Sequence, residues 1–161
     1  ETRERFSMIG ARIAEFPATR RAAAAARAMG DPVLMGAPDV VRGGSPSGRV
    51  AASDLIRQRL CDALVSDDHY PSLAEAAWRL VDDGLCDLPQ AWAMISARPA
   101  EILRLPDRGR LDHGRRADLV VVNEETRAIE ATIAGGRLAY LAGEAGRRFL
   151  TAATRVEMAA E

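Results

Sequence analysis

Three short apolar stretches in this chain each run into a cluster of polar side chains, and the residue types in those clusters fit definite chemistry. The first cluster holds Glu15 with Pro17 and Thr19. Glu15 either acts in a site or pairs with an arginine beneath the neighbouring loops. The second is Arg42, Gly43, Gly44, Ser45, Pro46, Ser47, Gly48 and Arg49. Its glycines let backbone N–H groups come close to a ligand, Ser45 and Ser47 add hydroxyl donors, and Arg42 and Arg49 offer forked donors for phosphate oxygens. That composition suits a phosphate cradle, or alternatively an ordinary flexible surface loop. The third is Ser66, Asp67, Asp68, His69 and Tyr70. An aspartate at a strand end can ligate a metal or take a proton from a metal-bound water. It can equally cap the helix that follows, and both readings of Asp67 and Asp68 stand. His69 could be a ligand, but it reads better as a partly exposed structural histidine.

The remaining reactive residues carry less. His113 sits in a turn, and Cys61 and Cys86 are too few and too far apart for a disulfide framework or a structural zinc site. Both cysteines read as packing residues in a reducing cytoplasm, Cys61 in a strand and Cys86 in a loop. Trp78, Trp92 and Met94 fall at helical positions and read as core. All 22 basic residues are arginine, so no lysine is available as Schiff-base former, general base or carbamate. Two histidines far apart do not supply the several ligands of a hydrolytic metal centre.

The elements that must hold these clusters alternate. Residues 11–16, 32–37 and 61–66 read as strands, each closed by a turn. A helix capped by Thr19 runs over 20–29 and stops at Gly30. After the second strand, Pro38 and Asp39 close the stretch and a long turn leads to a short helix over 53–60. The third helix starts at Ser72, where Ser72, Leu73, Ala74 and Glu75 fit a capping box, and stops at Gly84. This alternation argues for parallel βαβ units with chemistry at the strand carboxyl ends. Residues 88–105 read as more helix, with Pro89 near its start and Pro99 breaking it. The pattern then changes. Residues 118–122, 129–133 and 137–142 read as an antiparallel unit, with a hairpin at Gly135 and Gly136. The domain reading is therefore 1–105 for the βα units, 106–150 for the small β unit and 151–161 for a tail, read as a frayed helix.

Composition bounds the function. With 161 residues, 48% apolar, 28% charged and a net charge of -1, the chain is globular and lacks the basic footprint of a nucleic-acid binder. No apolar run is long enough to span a bilayer. No stretch reads as a signal peptide, and the first residue is Glu1 rather than Met, which fits a start inside a longer product. Three parallel strands expose an open edge. That edge is expected to pair with another copy or to belong to a larger barrel.

Glu15, Phe16, Pro17, Ala18 and Thr19, the run V-L-M-G-A-P-D-V-V-R-G-G-S over 33–45, and Ser66 with Asp67 resemble, in order and spacing, the C-terminal part of a known family. These are the PhnM-type α-D-ribose 1-methylphosphonate 5-triphosphate diphosphatases of phosphonate metabolism, in the amidohydrolase superfamily. The likeness covers nearly the whole chain. Residues 35–45 are its specific part, whereas 114–120 are shared widely by amidohydrolases. It implies an α/β fold: the C-terminal part of a (β/α)8 barrel, strands six to eight, followed by a small antiparallel β-sandwich unit. It also implies a cytoplasmic hydrolase that releases pyrophosphate from a phosphorylated small-molecule substrate, with zinc, manganese or magnesium as the divalent metal. In that scheme Asp67 is the strand-eight metal ligand or proton acceptor, and Arg42, Gly43, Gly44, Ser45, Ser47 and Gly48 form the phosphate loop. The family pattern has histidine where this chain has Pro46 and tyrosine where it has Asp68, so no histidine role carries over to position 46. The barrel's amino-terminal metal ligands are not in this chain, so its metal site is expected to be incomplete and the chain alone inactive. Two other readings compete: a deaminase or cyclic amidase on the same scaffold, or a non-catalytic half-barrel that assembles with a partner.

Overall fold

The computed structural model describes residues 2–45 and 48–159, and for 152–159 the helix backbone alone. The chain divides into two compact units, residues 1–109 and 110–161.

In the first unit the three apolar stretches form β1 (Ala14–Glu15), β2 (Val33–Gly36) and β3 (Ala63–Val65), hydrogen-bonded side by side in that order. Both pairings are parallel, with Glu15 opposite Leu34 and Gly36 opposite Val65. All three carboxyl ends therefore lie at one rim. A short helix, α1 (Thr2–Met8), precedes β1. Its Arg3 guanidinium bonds the Asp31 carboxylate, which is 2% exposed and lies just before β2.

The helix after β1, α2 (Arg20–Ala28), forms because alanine has the highest helix propensity and Thr19 caps its start, accepting the Ala22 N–H at 3.1 Å. Its buried face is Ala23 and Ala26. Side chains alternate across a strand, so Val33 and Met35 of β2 share a face with Leu64 of β3. That face joins a core with Leu55, Ala76, Ala77 and Leu80. Leu34 lies on the opposite face, beside Glu15 and Ala63 in the register.

Several expectations are corrected. The turn expected after β2 is a helix, α3 (Ala37–Arg42). Pro38 starts it rather than closing a strand, because proline's missing N–H is no loss in a helix's first turn and its φ is already helical. Then follow α4 (Ala52–Arg57) and α5 (Ser72–Asp82). The capping box at Ser72 does not form: Pro71 holds the cap position, and the Ser72 hydroxyl donates backwards to the His69 carbonyl. The helical stretch read over 88–105 is two helices, α6 (Leu88–Ala93), capped by Asp87, and α7 (Ala97–Ile102). The interruption falls before α7, not at Pro99, which occupies the first turn of α7 where no N–H is needed. Cys61 precedes β3 rather than lying in it. Met94 is buried, and Trp78 meets Trp92 edge-on with ring centroids 6.0 Å apart.

The second unit is an antiparallel sheet of β4 (Leu119–Val122), β5 (Ile129–Ala134) and β6 (Arg137–Leu141). The β5–β6 hairpin turns at Gly135 and Gly136, both with positive φ (57° and 76°), the backbone a two-residue hairpin loop demands. The tail read as a frayed helix from 151 is, as far as Ala159, the end of a longer helix, α8 (Gly143–Ala159). It packs on β5, where Glu130 accepts the Ala145 N–H at 3.0 Å and the Asn123 side-chain amide at 3.1 Å.

Candidate functional site at the strand carboxyl ends

Parallel register brings the three sequence clusters to one rim: Glu15 at the end of β1, α3 directly after β2, and Asp67 just past β3. The loop that follows α3 also returns to it. The Val50 N–H donates to the Ala18 carbonyl at 3.2 Å, joining that loop to the turn after β1.

Asp67 is exposed and sits in the left-handed region, with φ 55°. It takes no part in capping α5, and neither does Asp68, since the start of that helix has no side-chain cap. The capping alternative for these two aspartates is thereby set aside. His69 is exposed, and its backbone builds the turn: its N–H donates to the Ser66 carbonyl and its own carbonyl accepts from Ser72.

Arg42 closes α3, and its guanidinium donates to the Asp39 carboxylate at 2.8 Å. Gly43 caps the helix in the left-handed conformation, φ 75°. Both the Gly43 and Gly44 N–H groups donate to the Asp39 carbonyl, at 3.1 and 3.3 Å. In this arrangement those N–H groups finish the helix, and the guanidinium groups of Arg42 and Arg49 are both at the surface. Ser45 is half-buried and Gly48 is exposed, whereas Ser47 and Pro46 lie outside the described residues.

Three residues at this rim escaped sequence reasoning as functional neighbours. Phe16 has φ 49°, an uncommon backbone for a bulky residue, and its N–H still donates to the Leu34 carbonyl at 3.0 Å. Gly36 is tightly approached: a Cβ there would stand 3.3 Å from the Phe16 ring and 3.4 Å from an Asp39 carboxylate oxygen. A glycine inside a strand pattern was the available signal for that close approach. Asp39 carried no signal, because its two roles depend on where α3 folds back on itself. Glu15 is exposed, and among the described residues no arginine pairs with it, so the ion-pair alternative is not what forms.

The donor set does not by itself fit a divalent metal. Among the described residues no group of three or more histidine, cysteine, aspartate or glutamate side chains gathers to hold one. Asp67 is a single oxygen donor, whereas a hydrolytic ion takes several ligands. Among the same residues no helix is long and apolar enough to cross a membrane.

Known proteins resemble this chain in sequence and in fold. The amidohydrolase family model matches residues 3–144. The α-D-ribose 1-methylphosphonate 5-triphosphate diphosphatase of Escherichia coli K12 is 50% identical over 119 residues, 73% of this chain and 32% of that protein. A dihydroorotase-like protein of Pseudomonas aeruginosa is 49% identical over 53 residues, 33% of this chain and 12% of that protein. The chain thus spans about a third of the first relative and less of the second. Among solved structures, β-aspartyl dipeptidase of Fervidobacterium islandicum AW-1 covers 83% of this chain at 16% identity, with a TM-score of 0.62 in its complex with β-Asp-Leu and 0.65 in a second structure. This chain covers 40% and 38% of those two, a likeness of fold alone.

Proposed function

The chain belongs to the amidohydrolase family, and from that premise we propose that it is the carboxyl-terminal part of a phosphonate-catabolism hydrolase. The parent enzyme cleaves α-D-ribose 1-methylphosphonate 5-triphosphate to the 5-phosphate and pyrophosphate. The observation that carries this reading is the 50% identity over 119 residues to a protein that bears the name of that activity, and the common rim at which the three parallel strands end supports it. The strands correspond to barrel strands six to eight, and the antiparallel unit to part of the small β-sandwich.

Within that reading Asp67 is the catalytic carboxylate. Its exposure, its position past β3 and its lack of a capping duty leave it available to accept a proton or to supply one ligand to a metal. A divalent ion, when bound in the parent, would activate water and offset phosphate charge; its other ligands come from outside this chain. Arg42, Ser45, Ser47 and Gly48 form the phosphate side of the site, whereas the Gly43 and Gly44 N–H groups are engaged by the Asp39 carbonyl and shape the loop rather than donate to phosphate. There Arg42 supplies the fixed charge that a triphosphate needs and a neutral amide substrate does not.

The test is pyrophosphate release from the triphosphate by the parent enzyme. Asp67→Asn should abolish turnover while leaving binding of phosphate ligands largely intact. Turnover at the wild-type rate would remove Asp67 from the mechanism, and a parent that instead deaminates or opens cyclic amides would replace the substrate reading.

A second reading, an assembly module inactive by itself, rests on the open edge that a three-stranded parallel sheet leaves at β1. At the β3 edge of the parallel sheet the Leu64 N–H is already taken, donating to the Met94 carbonyl at 2.9 Å. Self-association would therefore use the β1 edge. Sedimentation of the pure chain should reveal concentration-dependent association, with negligible triphosphate hydrolysis; a strict monomer would remove the association reading.

A further inference from the structure

Resting on the phosphate-substrate reading above, we infer that Asp39 is the positioning residue for Arg42, holding its guanidinium at the rim through a two-point grip on the loop. The first point is the side chain. The Asp39 carboxylate is 14% exposed and accepts from the 62%-exposed Arg42 guanidinium at 2.8 Å. The second is the main chain. The Asp39 carbonyl accepts both the Gly43 and the Gly44 N–H, which turns the chain sharply after Arg42. The Asp39 carboxylate lies over Gly36 beside the Phe16 ring, 3.4 Å and 3.3 Å from where a Cβ would stand.

The consequence is chemical. An exposed arginine loses much rotamer freedom on binding an anion. A guanidinium already tethered by one of its five N–H donors has lost part of that freedom and keeps the others for phosphate oxygens. The tether carries a negative charge close to the anion, so two effects oppose each other, position and charge, and they can be separated. Asp39→Asn removes the charge but keeps an oxygen acceptor. Asp39→Ala removes both.

The experiment measures binding of inorganic pyrophosphate to the chain by calorimetry, for the wild type, Asp39→Asn, Asp39→Ala, Arg42→Ala and the Asp39→Ala/Arg42→Ala double variant, with thermal melts to establish folding. Asp39→Asn should bind at least as tightly as the wild type. Asp39→Ala should bind about three- to tenfold more weakly than Asp39→Asn, the size of a coupling between touching side chains. In the Arg42→Ala background the Asp39→Ala change should not weaken binding further, because Asp39 positions only through Arg42 and the loss of its charge favours the anion; a merely structural loss would persist there. If Arg42→Ala weakens binding but Asp39→Asn and Asp39→Ala bind alike, the inference falls and the phosphate reading stands. If the wild type shows no binding, or Arg42→Ala binds as the wild type does, the phosphate role of this loop falls and the inference falls with it.

Discussion

Asp62 and Val33 are joined twice. The Asp62 N–H donates to the Val33 carbonyl at 2.8 Å, and the Asp62 carboxylate accepts the Val33 N–H at 2.8 Å. The other carboxylate oxygen takes the Arg27 guanidinium of α2. One side chain thus ties the starts of β2 and β3 to the helix between β1 and β2, at the end of the sheet opposite the candidate site. Asp62→Ala leaves the Val33 N–H of a fully buried residue unsatisfied, at a cost of about 1–3 kcal/mol. The Arg27 half of the clasp is more exposed and adds little. Urea unfolding checks this, and an unchanged midpoint would contradict it.

Gly36 has φ -73°, which any residue adopts, so its requirement is spatial rather than conformational. Gly36→Ala pushes against the Phe16 ring, and Gly36→Val adds two methyls beyond that already tight Cβ. The expected losses are about 1 kcal/mol for alanine and about 2–3 kcal/mol for valine. Unfolding midpoints of the two variants measure this, and equal stability of valine and glycine at 36 would mean that the ring moves aside freely.

The anchoring of α8 is acid-sensitive. Glu130 sits below the ordinary carboxylate range, foremost because it accepts the Ala145 N–H and then because of the Glu144 N–H and the Asn123 amide. Glu144 is also lowered, by hydrogen bonds from Arg147 and then Arg148. A carboxylate depressed in the folded state contributes stability above its unfolded pKa, about 4.3. That contribution is lost as pH falls through the lower folded value. Helicity followed by circular dichroism should therefore hold from pH 7 to about 5 and fall in more acid solution. Glu130→Gln should flatten that profile, and a profile identical to the wild type would assign the transition elsewhere.

Neither thiol is poised to react. Burial foremost, with Asp62 beside it, pushes the Cys61 thiol up to about 12, and its Sγ–H donates to the Ala63 carbonyl at 3.4 Å. Burial and then Asp87 also raise the Cys86 thiol. At pH 8 a thiol at about 12 is ionised in roughly one molecule in ten thousand. Iodoacetamide labelling followed by intact mass should be slow in the native chain, with Cys86 modified before Cys61 and both modified rapidly in urea. Fast native labelling of Cys61 would show that its environment opens.

What the residues determined alone is local and periodic. Alternation of apolar stretches with helical patterns dictated three parallel strands, because a strand buried on one face and followed by a helix has few other ways to cover itself. Thr19 as a cap and the Gly135 and Gly136 hairpin were readable because each depends on two or three adjacent residues. The family likeness was readable for the same reason, since it lies in short ordered strings. The tertiary structure decided the rest. Whether Ser72 caps a helix or bonds back to His69 depends on the path of the preceding turn, not on the Ser-x-x-Glu pattern. That Asp31 meets Arg3 across 28 residues, and Asp62 meets Arg27 across 35, depends on distances that only folding sets. Arg42 was picked out by its type, but the carboxylate that holds it was not. An aspartate in a helix's first turn looks the same in sequence whether it faces water or, as Asp39 does, closes over Gly36 and grips the loop beyond.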